Sequence, residues 1–262
     1  MFSRSYIRLF KAFLNIKHWI SIVKIILVIQ NPLSYFYRYI TGKGKYPWVV
    51  ILRTPVGLRN VVLIRFEDTF TLNEIFIWEI YKPRGKVFNS FIDIGGNVGF
   101  ASLYFLTRNY NCKGILVEPL YQNISRAKSL LETFGSRIEY IHAAVSDKNG
   151  TLEIGVEETG RYSGVECNSE IRYNSPAIGI NDLINYAYLN LGSVDFLKID
   201  CEGAEKYFMP KIQSENLDKI SRFVIESNQF DDNNLIINGF SMKIIFRDSF
   251  SGGVFDYYKK NV

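Results

Sequence analysis

The sequence predicts an α/β domain whose mainly parallel sheet is covered by helices on both faces. From Val87 onward, short apolar runs alternate with stretches of helical periodicity. Of the 262 residues, 47% are apolar and 22% are charged, which is typical of a globular domain. Apolar strands that alternate with helices are typical of parallel sheets enclosed on both faces. The predicted strands are Val87–Ile94, Gly114–Glu118, Ile138–Ile141, Val194–Asp200 and Arg222–Glu226.

Helices are predicted between these strands, as the alternating pattern requires. They are Val98–Asn109, Gln122–Phe134, Ile180–Tyr188 and a short helix that begins at Gly203. Thr151–Val156 is predicted as an extra strand, followed by a loop that includes Arg161–Ser175. An antiparallel hairpin of Phe240–Phe246 and Val254–Tyr258 is expected to close the chain.

The first 66 residues differ in charge from the rest of the chain. They contain eleven Lys or Arg residues and no acid, because the first carboxylate is Glu67. The other 20 basic residues and all 26 acidic residues follow. This asymmetry predicts a basic, aromatic-rich helical extension at 1–66 and a mildly acidic domain at 67–262. Three elements are expected near the boundary: strands Trp48–Leu52 and Val61–Phe66 and a helix Thr69–Tyr81.

The extension is predicted to be mostly helical up to about Ile40, with a break at Asn31-Pro32. Its apolar residues repeat at helical spacing: Trp19, Ile20, Val23, Ile26 and Leu27. Three interpretations stay open. In the first, residues 1–45 lie on an anionic membrane surface. In the second, the helix packs on the domain at 67–262 or on a second copy of the chain in a homodimer. In the third, the helix spans a bilayer. The apolar run is short for a span.

Composition limits the compartment and the partners. Three widely spaced cysteines fit no disulfide framework, and no cleavage site follows the apolar run, which indicates a cytoplasmic protein. If the extension binds lipid, the protein lies peripherally at the inner face of the membrane. Nucleic acid is not expected as a partner, since bulky apolar residues separate the basic ones. Only two histidines occur, and no metal site is predicted.

The first predicted strand of the sheet runs into a Gly-rich turn, within the segment FIDIGGNVGF. Four residues allow the backbone to turn tightly beside a ligand: Gly95, Gly96, Asn97 and Gly99. A dinucleotide site with the pattern Gly-x-Gly-x-x-Gly would need glycine at Asn97 and Phe100. The carboxylate of Asp93 instead suits a cationic cofactor without phosphate. The turn alone is a weak signal.

The next two strand ends also carry acids. Glu118 follows an aliphatic strand and can accept hydrogen bonds from both hydroxyls of a ribose, or can be a solvated acid at a strand end. Asp200 and Glu202 lie at a strand-to-helix turn, where paired carboxylates suit a general base or a hydroxyl-positioning pair. Glu205 is explained by the helix dipole. Cys201 fits a small buried residue better than a nucleophile.

At these residues the sequence resembles the FkbM-type methyltransferases, a branch of the class I S-adenosylmethionine-dependent fold. The resemblance covers about Glu67 to Asn228, and its most specific part is the Asp-x-Glu-Gly-x-Glu pattern. The sequence departs at Gly96, where the family often carries a slightly larger residue. The resemblance rests on FIDIGGNVGFAS, VEPLYQN, AAVSD, INDL and VDFLKIDCEGAE.

The resemblance implies a Rossmann-like sheet of seven strands with a reversed final hairpin, and S-adenosylmethionine as the cofactor. It implies that Asp93 to Gly99 wrap the methionine moiety and that Glu118 holds the ribose. It also places Ser146 and Asp147 near the adenine. The residues that choose the acceptor are expected in the first 66 residues and in the loop after Thr151–Val156.

The function that the resemblance implies is methyl transfer to a hydroxyl of a sugar, glycan or other natural product. Asp200 or Glu202 is expected to take or share the proton of that hydroxyl. Two alternatives are a Mg²⁺ ion held by Asp200 and Glu226, and His142 as base; a structural role for His142 is equally open. The rival functions are an NAD-type oxidoreductase and an inactive membrane-associated scaffold.

Overall fold

A computed structural model describes residues 16–82, 88–157, 163–164, 167, 169–227, 237, 239–248 and 252–259. By its internal contacts the chain divides into two compact units, Met1–Glu79 and Ile80–Val262. The predicted domain boundary at residue 67 stays a prediction. Residues 1–15 of the expected helical extension, and Val87 of the first predicted strand, lie outside the described residues.

The first unit combines short helices with one hairpin. Asn31 caps the second helix, because its side chain accepts a hydrogen bond from the Ser34 amide (3.3 Å). The buried Tyr35 hydroxyl donates to the Thr69 carbonyl (3.2 Å) and so ties this helix to the next one. The elements are α1 Ile16–Val28, α2 Pro32–Thr41, β1 Trp48–Thr54, β2 Gly57–Leu63, α3 Asp68–Leu72 and a π-helical segment Asn73–Trp78.

Two predictions for this unit need correction. The helix expected at Thr69–Tyr81 ends at Trp78, because Glu79 adopts a left-handed conformation (φ 55°). The second strand extends from Gly57 to Leu63 rather than from Val61 to Phe66, since a tight turn after Thr54 pairs Thr54 directly with Gly57.

The second unit alternates strands and helices. Its strands are β3 Ser90–Ile94, β4 Lys113–Glu118, β5 Ile138–His142, β6 Ala144–Ser146, β7 Gly150–Val156, β8 Ser163–Gly164, β9 Arg172–Gly179, β10 Phe196–Asp200, β11 Arg222–Ser227, β12 Phe240–Asp248 and β13 Gly252–Lys259. Its helices are α4 Phe100–Leu106, α5 Tyr121–Leu131, α6 Ile180–Leu191, α7 Glu205–Phe208 and α8 Ser214–Lys219, with 3₁₀ segments Glu132–Arg137 and Met209–Lys211.

Seven strands form the main sheet, in the order β12-β13-β11-β10-β3-β4-β5. All neighbours from β11 to β5 are parallel, whereas β13 runs antiparallel to both β11 and β12. This confirms the predicted class I methyltransferase architecture with its reversed final hairpin. The strand order reverses between β3 and β10, and ligands of such sheets bind at the carboxyl ends of the strands beside that point.

A second, four-stranded sheet has the order β6-β9-β7-β8. Strand β8 lies within the segment that was expected to be a loop, and β9 overlaps its end, so that prediction was wrong for Ser163–Gly164 and for Arg172–Ser175. Strand β9 is hard to recognise because Pro176 interrupts it and its burial alternates weakly. Backbone pairing with β6 and β7 holds it in place nevertheless.

Side chains that alternate along the strands give the sheet two different faces. Phe91 and Phe196 pack with Phe105 of α4 on one face, with ring centroids 5.1 Å apart in both pairs. All seven residues of α4 are buried. On the other face, Ile92 and Ile94 belong to a buried hydrophobic cluster that includes residues of α6 and β11. Asp93 of β3 and Lys198 of β10 alternate with these residues and therefore lie on the phenylalanine face.

None of the helices within the described ranges has the length and apolar character that a bilayer crossing requires.

Candidate active site

A cleft opens at the carboxyl ends of β3, β4 and β10. Its empty space, with the open mouth included, is about 590 Å³. Of the predicted site residues, five line it: Gly95, Asn97, Glu118, Asp200 and Glu202. The second sheet contributes Leu152, Ile154 and Gly164 to its wall.

The Gly-rich turn forms as predicted and approaches β10 closely. Gly95 has φ 70°, and a Cβ atom there would lie 1.7 Å from the backbone oxygen of Asp200. Asn97 adopts the left-handed conformation (φ 48°) that its residue type tolerates. Gly96 and Gly99 belong to the same turn but are not among the residues that line the cleft. The close approach of the turn to β10 leaves no room for a side chain at Gly95.

Glu118 is a buried carboxylate with three hydrogen-bond donors. Its Oε2 accepts from the Asn97 amide (2.9 Å), and its Oε1 accepts from the Leu120 amide (3.1 Å) and the Asn123 side chain (3.0 Å). Burial raises the pKa of the Glu118 carboxyl to about 7, although these hydrogen bonds oppose the shift. Glu118 is therefore not a solvated acid at a strand end, and its side chain is held rigidly at the cleft.

Asp93 is fully buried and does not line the cleft. Its Oδ1 lies 3.0 Å from Nζ of Lys198, its partner in the register of β3 and β10, and its Oδ2 accepts from the Ser102 hydroxyl (2.7 Å). The ammonium that Asp93 faces is thus that of Lys198, not that of a ligand in the cleft. Lys198 Nζ also donates to the Gly95 carbonyl (3.0 Å).

Lys198 connects this buried pair to the predicted catalytic acid. Its Nζ lies 3.4 Å from Oδ2 of Asp200, whose side chain is 25% exposed. Burial alone would lower the pKa of the Lys198 ammonium, but the charges of Asp93 and Asp200 outweigh burial and raise it. The lysine therefore stays charged and lies within ion-pair distance of both carboxylates.

A tyrosine links Asp200 to the acid at the end of the neighbouring strand. The Tyr81 hydroxyl contacts Oδ2 of Asp200 (3.1 Å) and, more closely, Oε2 of Glu226. Burial, followed by the charges of both acids, raises the pKa of Tyr81 well above its ordinary value. The phenol therefore keeps its proton and acts as a hydrogen-bond donor between the two carboxylates.

The remaining predicted residues have varied environments. Glu202 lines the cleft beside Asp200 and has a left-handed backbone (φ 51°). Cys201 also lines it, but burial raises the pKa of its thiol, which argues against a nucleophile. Ser146 donates to the exposed carboxylate of Asp147 (3.1 Å), and neither residue lines the cleft. The predicted roles of these residues stay predictions.

His142 and the metal alternative can also be placed. Nε2 of His142 lies 2.9 Å from the Pro119 carbonyl and 3.3 Å from the Tyr173 hydroxyl. His142 does not line the cleft, which favours a structural role for this residue.

Within the described ranges, no group of three His, Cys, Asp or Glu residues is arranged to hold a metal ion. Tyr81 occupies the space between Asp200 and Glu226, the two residues proposed as Mg²⁺ ligands.

Sequence reasoning missed Tyr81 and Lys198. Lys198 carries a signal, since a lysine inside the apolar strand FLKID must be paired if that strand is buried. Tyr81 carries none, because its partners lie 119 and 145 residues away in the chain.

The cleft residues fit S-adenosylmethionine. The described residues that line it include three carboxylates, Glu118, Asp200 and Glu202, and neither Lys nor Arg. This charge suits a cationic sulfonium and is unfavourable for a pyrophosphate. Glu118 and the turn from Gly95 to Asn97 would hold such a cofactor.

Comparison with known proteins agrees with this geometry. The family profile described as the methyltransferase FkbM domain matches residues 93–242, which include every predicted site residue. AMB antimetabolite synthetase AmbE of Pseudomonas aeruginosa is 29% identical over 142 residues, which are 53% of this chain but 6% of that protein. Methyltransferase sdnD of Sordaria araneosa is 24% identical over 204 residues, 65% of this chain and 78% of the relative.

Among solved structures, M. capricolum TrmK in complex with S-adenosyl-homocysteine is similar at 18% identity and a TM-score of 0.39. The match covers 73% of this chain and 68% of TrmK. The profile match confirms the predicted family and, with it, S-adenosylmethionine as the cofactor of a methyl-transferring enzyme. This chain belongs to the FkbM methyltransferase family.

Proposed function

We propose that this enzyme methylates a hydroxyl oxygen of a sugar, glycan or other small natural product. The observation that carries the proposal is Asp200, a partly exposed carboxylate in the wall of the cleft, held by the buried Lys198 and by Tyr81. An alcohol is a poor nucleophile at neutral pH and needs such a base, whereas an unprotonated amine does not. We further propose that the acceptor is reached at an anionic membrane surface through residues 1–45.

S-adenosylmethionine, when bound, supplies the methyl group as a sulfonium. Glu118 would accept hydrogen bonds from the ribose hydroxyls, because its position is fixed by Asn97 and Asn123. Leu152 and Ile154 give the cleft wall apolar character and would help to exclude water. We assign Ser146 and Asp147 to the adenine end by family resemblance.

Asp200 would take the proton of the acceptor hydroxyl with its Oδ1, because Lys198 and Tyr81 contact its Oδ2. Lys198 holds this carboxylate from one side, with its Nζ 3.4 Å from Oδ2. Tyr81 fixes its orientation by a hydrogen bond and is a positioning residue. Glu202, beside it in the cleft, would orient the acceptor. Aligning the two reactants is the larger contribution to rate, worth roughly 7–11 kcal/mol in well-oriented systems.

The function is tested by transfer of a tritiated methyl group from S-adenosylmethionine to matched acceptors. Glycosides with free hydroxyls should be labelled as base-stable ethers, and the same glycosides with blocked hydroxyls should not. An aminoglycoside with blocked hydroxyls distinguishes nitrogen from oxygen transfer. Label only on nitrogen would contradict the proposed base. Binding of NAD in preference to S-adenosylhomocysteine would overturn methyl transfer altogether.

Glu118 should make cofactor affinity depend on pH. The carboxylate must be ionised to accept both ribose hydroxyls, and the pKa of the free carboxyl is about 7. Affinity for S-adenosylhomocysteine should therefore be constant above pH 7 and fall as pH is lowered below it, by up to about tenfold per unit. Calorimetry from pH 5.5 to 8.5 measures this (roughly the span that brackets the pKa).

The matched control is Glu118→Gln, which keeps the shape of the side chain but cannot titrate. Its affinity should be lower at neutral pH and nearly independent of pH. If the variant retained the same pH dependence as the original protein, another group would be responsible.

A further inference from the structure

The first unit exposes an apolar face on α1. Among the side chains of α1 from Trp19 onward, each one that is exposed is apolar: Trp19, Ile20, Val23, Ile26 and Leu27, with exposed fractions of 45–65%. On the opposite side, Ile25 is buried in the unit. Single exposed apolar residues are ordinary, but a whole helix face of them marks an interaction surface.

Helix α2 adds further apolar groups to the surface of this unit. Leu33 is 80% exposed, Tyr37 57% and Ile40 53%. The exposed set thus combines aliphatic side chains with Trp19 and Tyr37, the aromatic types that are enriched at membrane–water interfaces. We call the exposed apolar residues of α1 the apolar face, and those of α2 enlarge the apolar surface of the same unit.

Among the side chains that the structure describes in this unit, every exposed charged one is basic. Among the side chains described between residues 19 and 79, no acid is exposed: Asp68 is buried, and Glu67, Glu74 and Glu79 are half-buried. Glu79 is also paired with Lys24 (2.9 Å). By contrast, Lys43 and Lys45, which follow α2, are exposed.

We infer that the apolar face docks on an anionic lipid surface. An apolar helix face accompanied by exposed lysines and no exposed acid complements acyl chains beneath anionic headgroups. A second copy of the chain fits less well, because a symmetric interface would bring the basic residues of two protomers together with no exposed acid to pair them. The inference deepens the membrane contact proposed above by naming the residues that make it, and it does not depend on which methyl acceptor the enzyme uses.

The test is flotation of the full chain with vesicles of phosphatidylcholine containing about 30% phosphatidylglycerol, beside pure phosphatidylcholine vesicles. The protein should float with the anionic vesicles and bind the neutral ones at least about tenfold more weakly. Ile26→Glu with Leu27→Glu should abolish flotation. Lys43→Gln with Lys45→Gln should weaken it by about tenfold and reduce its sensitivity to salt.

Leu189→Glu is the matched control, since Leu189 is 83% exposed on α6 of the second unit. It should float like the original protein, and circular dichroism should show all variants folded. Absence of flotation with the unmodified chain would overturn the inference, as would equal binding to neutral vesicles. Self-association in analytical ultracentrifugation that Ile26→Glu with Leu27→Glu removes would assign the face to a second copy instead.

Discussion

Replacing Lys198 by methionine is expected to lower the free energy of unfolding by about 3–5 kcal/mol. The substitution keeps the volume and apolar stem of the side chain but removes the only positive charge within 4 Å of Asp93 among the residues that the structure describes. Asp93 is fully buried, and an uncompensated buried carboxylate is costly. Urea unfolding, followed by circular dichroism, measures the loss.

Removing the partner charge as well should restore part of this stability. In Asp93→Asn with Lys198→Met neither buried charge of this pair remains, so the double variant should be more stable than Lys198→Met alone. A control on the surface, Lys43→Met, should change stability by less than about 0.5 kcal/mol. If Lys198→Met and Lys43→Met lowered the free energy of unfolding by the same amount, the buried ion pair would not contribute to stability.

Replacing Asp200 by asparagine is expected to reduce kcat by roughly 10²–10⁴. The amide has nearly the same shape as the carboxylate but cannot take a proton from the acceptor. The affinity for S-adenosylhomocysteine should change little, because Glu118 rather than Asp200 is proposed to hold the ribose. Single-turnover methyl transfer, measured beside calorimetric binding, separates the two quantities.

Two variants distinguish the base from its neighbours. Glu202→Gln should raise KM for the acceptor more than it lowers kcat, since this side chain is proposed to orient the substrate. Asp218→Asn, at an exposed position on α8, should leave both constants unchanged. If Glu202→Gln showed the large kcat loss and Asp200→Asn did not, the roles of the two acids would be exchanged.

The strands and helices of the main sheet could be predicted because each carries a local signal. The runs that became β3, β4, β10 and β11 are apolar, and glycines or acids end them. Helix boundaries were less accurate: α4 was expected from Val98 to Asn109 but extends only from Phe100 to Leu106. Gly99, at φ 91°, caps its start.

Of the four strands of the second sheet, only β7 was predicted from the sequence. Strand β7 has a clear pattern, whereas β9 contains Pro176 and depends on pairing with β6 and β7. Nothing in its own residues gives that pairing. For this reason the predicted Arg161–Ser175 loop extended too far, into the first residues of β9.

The site could be predicted as far as residue types, but not as a network. Each acid at a strand end was identifiable because α/β sheets bind ligands there. The pairing of Asp93 with Lys198 depends on the register of two strands about a hundred residues apart in the chain. That register turns Asp93 toward Lys198 and away from the cleft.

The contact between Gly95 and the Asp200 backbone has a consequence for how members of such a family can diverge. With 1.7 Å between a hypothetical Cβ and the Asp200 oxygen, neither segment can accept added volume without displacing the other. We expect the cofactor turn and the β10 turn to change little between enzymes that use different acceptors. Substitutions that change the acceptor should instead occur in the second sheet. Its Leu152 and Ile154 line the same cleft and are not part of the close contact between Gly95 and Asp200.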